Sequence, residues 1–170
     1  MIPAGPLFAS ARGPDEMKAL GAALARLLCP GDTVLLGGDL GAGKTTFVQG
    51  LAAALGVSEP VTSPTFVLVH SYETVAGWKL LHADVWRLVQ LQEVIDLALP
   101  ELIEEGGAAV VEWGEMAAPA LAPDCLHVAI DFEDDEPPLS AADGVRRLAF
   151  RALGPSWEKR MAGLQAALAE

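Results

Sequence analysis

Gly38-Asp39-Leu40-Gly41-Ala42-Gly43-Lys44-Thr45-Thr46 is the run on which the reading of this chain turns. Upstream, Thr33 to Leu36 is β-branched or apolar throughout and follows the turn residues Gly31 and Asp32, which predicts a short buried strand. Downstream, Phe47, Val48, Leu51, Ala54 and Leu55 recur at helical spacing, with Gly56 as a C-terminal stop. A strand, a glycine-rich turn and a helix N-terminus in that order aim several backbone N–H groups and the positive end of a helix dipole at one point. A polyphosphate fits there. Gly38, Gly41 and Gly43 permit backbone shapes and close approach that a Cβ would block, with Asp39, Leu40 and Ala42 completing the loop. Lys44 reaches β- and γ-phosphates, Thr45 offers a hydroxyl to Mg²⁺, and Thr46 either caps the helix or touches an α-phosphate. The implied ligand is a nucleoside triphosphate with Mg²⁺.

The 170 residues suit one domain with a sizeable core, expected over 1–170 with the core at about 15–154 and a C-terminal helix at about 155–168. Hydrophobic residues make up 52% of the chain, yet no uninterrupted apolar run reaches the length of a membrane span. The opening MIPAGPLFASARG has no basic leader, and Pro3, Gly5 and Pro6 interrupt any apolar stretch, so no secretion signal is expected. Cys29 and Cys125, without ligand spacing or a second pair, read as reduced core thiols. Together these place the chain in the cytoplasm.

A net charge of −12 repels a phosphate backbone, so the chain is not expected to grip nucleic acid by itself. Arg146, Arg147 and Arg151 form the local basic stretch, RRLAFRA. Its alternation predicts a strand with Leu148 and Phe150 facing the core and the arginines on a solvated outer face rather than in a ligand site.

Elsewhere, Asp15 reads as the cap of a first helix running to about Leu28, ended by Pro30. Strands are predicted around 66–70, Trp78 to Trp86, Ala108 to Trp113 and Leu126 to Phe132, with Gly77 in a hairpin turn. Short helical patterns lie around Leu91 to Leu97 and Pro100 to Glu105, an acidic loop spans 133–136, and a last strand leads into a helix over Trp157 to Leu168. The fold class is α/β: a single-domain P-loop NTPase-like fold with a mixed, partly antiparallel central sheet flanked by helices.

A P-loop needs an acidic partner for Mg²⁺ or its water ligands, and two carboxylates end apolar strands: Asp84 after LLHA and Glu112 after AAVV. Both qualify as metal partners. The shorter aspartate suits a rigid metal shell, and the glutamate suits orienting or deprotonating an attacking water. His82, two residues from Asp84 on the same strand face, is either a partner of the site or a satisfied core histidine; His70 reads as structural. Trp86 and Trp113 read as core aromatics ahead of ligand contacts.

Taken together, GDLGAGKTT at 38–46, SPTF at 63–66 with Tyr72, HADVWR at 82–87 and VVEWGE at 110–115 resemble the bacterial TsaE family, also called YjeE, over about Gly31 to Gly154. The resemblance implies the ATPase subunit of the machinery that makes N6-threonylcarbamoyladenosine in tRNA, acting with the partner proteins TsaB and TsaD. It implies that Lys44 and Thr45 bind nucleotide, that Asp84 is the Mg²⁺-associated aspartate, and that Glu112 with Trp113 is the functional acidic-aromatic pair, with Trp113 at the nucleotide. Thr65 falls in a switch-like loop where a hydroxyl senses the γ-phosphate. Trp86 stands where the family often has tyrosine, which keeps packing and removes a hydroxyl.

The same loop also builds small-molecule kinases, but these bring arginines over the phosphates from a lid, and Arg87 is the only arginine between Arg26 and Arg146. A GTP switch is disfavoured because the chain has no asparagine for guanine recognition and no Asp-x-x-Gly pattern. A nucleotide-gated assembly factor remains compatible with the ATPase reading. RNA contact is expected only indirectly, through partners.

Overall fold

The computed structural model describes residues 5–64, 69–86, 92–93, 96–113, 123–133 and 144–170. Its strands are β1 (Leu7–Arg12), β2 (Thr33–Gly37), β3 (Val69–Glu73), β4 (Lys79–Asp84), β5 (Ala108–Glu112), β6 (Cys125–Phe132) and β7 (Val145–Leu153). The helices are α1 (Pro14–Ala25), α2 (Lys44–Ala54), α3 (Leu99–Glu104) and α4 (Pro155–Leu168).

The strands form one sheet in the order β1-β7-β6-β2-β5-β4-β3. Its centre is parallel, β2 pairing with β5 and β6, and β4 with β5. Its flanks are antiparallel, through β3 with β4 and through β1 and β6 with β7. The sheet is therefore mixed, as the sequence implies. Every residue of β2 is buried, which is why TVLLG is apolar without alternation: a central parallel strand is covered on both faces. The P-loop leaves the carboxyl end of this strand, the edge where ligands sit in open α/β sheets.

Side-chain alternation divides the core into two. Val34, Leu36, Leu80, Val110, Val128 and Phe150 pack with Leu24 of α1, Phe47 of α2 and Trp157 of α4. On the opposite face Leu35, Leu81, Ala83 and Val111 pack with Leu99 of α3. Helices α1 and α2 cross closely because each supplies a glycine: a Cβ on Gly21 would overlap the Phe47 carbonyl oxygen, and one on Gly50 would overlap the Lys18 carbonyl oxygen. Helix α4 is held by Arg160, whose two terminal nitrogens each donate to Asp32 at 2.7 Å while the guanidinium stacks 3.9 Å from the Trp157 ring.

Several expectations are corrected. The first strand, β1, was not anticipated; its small residues and upstream prolines give a weak pattern, although Leu7, Ala9 and Ala11 do turn inward. Asp15 lies in the first turn of α1 and caps nothing, the N-cap being Gly13. Helix α1 ends at Ala25 rather than near Leu28, because Asp32 Oδ2 accepts from the Cys29 amide at 2.7 Å and closes a turn into β2. Cys29 is accordingly exposed, while Cys125 is a buried thiol as expected. Of the helical pattern near 91–97, residues 92–93 are helical, 96–97 lie in a turn, and 91, 94 and 95 lie outside the described residues, as do the acidic loop after Glu133 and the start of the strand expected from 66.

Candidate functional site

Alternation along β4 and β5 decides where the polar side chains go. Leu80 and Val110 face the helical core with α1 and α2, so His82, Asp84 and Glu112 share that face. Asp84 and Glu112 are register partners at the ends of adjacent parallel strands. Both point beneath the N-terminus of α2, and both are buried, at 4% and 3% exposure.

The loop above them has the shape a phosphate requires. Gly38 and Gly43 adopt φ of 139° and 107°, in the left-handed region, and a Cβ on Gly38 would collide with the Ile130 carbonyl. Gly43 is the N-cap of α2 and has no side-chain cap, and the first turn of the helix, Lys44 to Thr46, lines the cavity with the positive end of the helix dipole. Thr46 is in that turn and not the cap. Asp39 accepts the Ala42 amide at 3.1 Å, closing the loop, and Leu40 at its tip is 87% exposed.

Lys44 curls back along the loop. Its Nζ donates to the carbonyls of Gly38 at 2.6 Å and Asp39 at 2.9 Å and lies 3.9 Å from the centre of the Trp113 ring. Trp113 reaches this position from an unusual backbone, φ 60°, fixed by its amide donating to the Leu36 carbonyl at 2.8 Å. Thr45 Oγ1 donates to Glu112 Oε1 at 2.8 Å, and His82 Nε2 meets the same oxygen at 2.7 Å. Ser63 Oγ donates to Asp84 Oδ2 at 3.2 Å and the Trp86 amide to Oδ1 at 3.1 Å. Burial, opposed by that Trp86 amide and reinforced by the Glu112 charge, holds the Asp84 carboxyl above the usual carboxylate range. Two buried carboxylates side by side form a site that a divalent cation would neutralise.

These groups line a cavity of about 510 Å³, with Leu40 to Thr46 along one wall and Ser63, Asp84, Trp86, Glu112 and Trp113 along another. That size falls within the roughly 300–1,000 Å³ of small-molecule and cofactor pockets. The residues fit ATP with Mg²⁺: the glycine cradle would take phosphates, and Thr45 with the paired carboxylates would supply hard oxygen ligands. Gly38 and Asp39 are not on the cavity wall; Thr65, placed by the sequence in a switch-like loop, lies outside the described residues.

Sequence reasoning missed three contributors. Trp86 is half-exposed at the cavity mouth, 6.5 Å between ring centres from Trp113, and is not a core aromatic. Gly13, Pro14 and Met17 at the start of α1 close the far wall. Arg146, expected on a solvated face, is buried at 5% exposure and lines the cavity, its guanidinium 4.8 Å from the Phe132 ring and donating to the Gly144 carbonyl at 2.7 Å. The signal was present: Arg146 has the parity of Leu148 and Phe150, whereas Arg147 and Arg151 have the opposite one and are exposed.

The family model for the threonylcarbamoyl adenosine biosynthesis protein TsaE matches residues 11–139. The chain belongs to the TsaE family. Relatives include the tRNA threonylcarbamoyladenosine biosynthesis protein TsaE of Streptomyces coelicolor, 42% identical over 143 residues that cover 83% of this chain and 93% of that protein. The protein of the same description from Bacillus subtilis is 37% identical over 145 residues, 85% of each chain. Among solved structures, Bacillus subtilis YdiB superposes with a TM-score of 0.75 and 30% identity over 95% of each chain. The TsaE match spans β1 at Ala11 through β6, and so includes the loop, both carboxylates and Trp113.

Proposed function

We propose that this TsaE-family chain is a Mg²⁺-dependent ATPase that serves threonylcarbamoyladenosine formation in tRNA together with TsaB- and TsaD-type partners. The observation that carries the reading is the Thr45–Glu112 hydrogen bond, 2.8 Å long inside a cavity walled by the phosphate loop. It joins the residue expected to ligate Mg²⁺ to the carboxylate expected to handle water. The family's relatives carry the tRNA modification in their names.

Bound Mg²⁺ would neutralise phosphate charge and orient the γ-phosphate. The chain's own groups do the remainder. Loop amides and the α2 dipole hold phosphates, and Lys44 exchanges its two carbonyl partners for phosphate oxygens. Asp84 and Thr45 hold the metal side, and Glu112 accepts the proton of the attacking water. Trp113 and Trp86 exclude bulk water from the phosphate end. Thr65, two residues beyond the Asp84-bound Ser63 in sequence, would close on the γ-phosphate in the complex with partners. The acidic chain leaves tRNA to its partners. No helix among the described residues is long and apolar enough to cross a membrane, and the proposed compartment is the cytoplasm.

The test is steady-state phosphate release by the chain alone, by the complex with both partners, and by the complex carrying Thr65→Ala. Slow release alone, stimulation in the complex and loss of stimulation with Thr65→Ala are expected. Fast release by the isolated chain, indifferent to partners, contradicts the proposal and favours a small-molecule kinase.

A further inference from the structure

The His82 ring is fully enclosed, at 0% exposure, on the strand face it shares with Leu80 and Asp84. A polar ring in that position is unfavourable unless it is hydrogen-bonded. Its Nε2 lies 2.7 Å from Glu112 Oε1, and because an ionised carboxylate only accepts, Nε2 carries the proton and donates. The other nitrogen, Nδ1, is buried with no partner among the described residues.

Thr45 donates to that same oxygen, Oε1, at 2.8 Å. Two donors from different elements, α2 and β4, thus fix one oxygen of Glu112. The second oxygen, Oε2, has no hydrogen bond among the described residues, on a side chain that lines the cavity. Were the Thr45 hydroxyl to ligate a metal ion it would leave Glu112, and His82 would be the donor that still holds the carboxylate.

We propose that His82 is a positioning residue for ATP hydrolysis: through Nε2 it pins Glu112 Oε1 so that Oε2 stays aimed at the water. The proposal rests on the ATPase reading above. Its contribution lies in the rate of the chemical step and not in nucleotide binding, since His82 is not on the cavity wall. Loss of such an orienting bond typically costs 10–100-fold in activity, so about that loss is expected here.

The experiment uses the full chain with its partners and measures phosphate release for kcat and KM, and the fluorescence of a labelled ATP for Kd. His82→Leu removes the donor at similar volume, His82→Gln places an amide N–H near the Nε2 position, and His82→Asn places one near Nδ1, out of reach of Glu112. His82→Leu and His82→Asn should lower kcat by about 10–100-fold with KM and Kd changed less than about threefold, and His82→Gln should recover most of the rate. In a Glu112→Gln background, His82→Leu should add almost nothing, because the two act as one unit. A parental rate in His82→Leu overturns the proposal, as does a His82→Gln variant that is as slow as His82→Asn. If His82→Leu does not fold, the Gln and Asn variants decide by themselves. Absence of ATP hydrolysis in the parental complex overturns the ATPase reading, and with it this inference, and is told apart by that parental arm.

Discussion

Thr45 and Glu112, 67 positions apart in sequence, are joined by a 2.8 Å hydrogen bond from the threonine hydroxyl to the glutamate carboxylate. The bond ties the first turn of α2 to the end of β5. It is the contact that a metal ion bound at Thr45 would displace. On the proposed reading, Mg²⁺ would take the Thr45 hydroxyl as a ligand, which would leave Glu112 available to water.

The two carboxylates should therefore fail in different ways. Glu112→Gln should keep ATP–Mg²⁺ affinity and slow hydrolysis by roughly 10²-fold, as expected on losing a general base. Asp84→Asn should instead weaken the Mg²⁺ dependence of ATP binding. Paired measurements of phosphate release and of nucleotide affinity across a Mg²⁺ titration check this. Parental hydrolysis by Glu112→Gln, together with an Asp84→Asn variant that fails in hydrolysis alone, would reverse the assignments.

Much of this was legible before the structure because strong local rules applied. The loop glycines, the uniformly apolar TVLLG and AAVVE, and the placement of Asp84 and Glu112 at strand ends each follow from covalent or packing requirements that act over a few residues. What escaped depended on longer range. β1 is a strand only because β7 pairs with it, from Leu7 opposite Phe150 to Arg12 opposite Val145. Arg146 was grouped with its charged neighbours although its parity put it on the core face, since charge is read as exposure more readily than alternation is counted. The partner of His82 could not be foreseen from its spacing to Asp84: it is Glu112 on the adjoining strand, set by the β4–β5 register.

The close crossing of α1 and α2 makes Gly50 a sensitive position far from the chemistry. Gly50→Ala places a methyl into the Lys18 backbone, so the helices must separate. Overpacking of this kind typically costs ~1–3 kcal/mol, and it shifts the helix that carries Lys44 and Thr45. We expect a lower denaturation midpoint in urea and weaker ATP binding together. A variant with parental stability would show that the crossing has room to relax.

Helix α4 gives a prediction in pH. Its N-cap, Gly154, has no side chain, and Asp124 substitutes from outside, accepting the Ser156 amide at 3.0 Å and the Ser156 hydroxyl at 2.6 Å. Burial raises the Asp124 carboxyl, but the Ser156 hydroxyl and the Ser156 and Trp157 amides outweigh it, and the carboxyl lies below its ordinary range. A depressed folded value means the stabilisation is complete above the unfolded pKa of 3.8 and is lost as pH falls through the lower folded value. Asp124→Ala should destabilise by ~0.5–2 kcal/mol at neutral pH, as for loss of a cap. Thermal melts of both proteins should converge as the pH is taken below that range. A difference independent of pH would place the effect in packing.

The most direct test of the account is calorimetric titration of the parental chain and Lys44→Ala with ATP in the presence of Mg²⁺. Lys44 spans the loop carbonyls and Trp113 where the proposed triphosphate would lie. The account predicts saturable binding by the parental chain and loss of most of that affinity in Lys44→Ala, with circular dichroism showing the fold retained. Unchanged ATP–Mg²⁺ binding in a folded Lys44→Ala variant would contradict the assignment of this cavity as the nucleotide site.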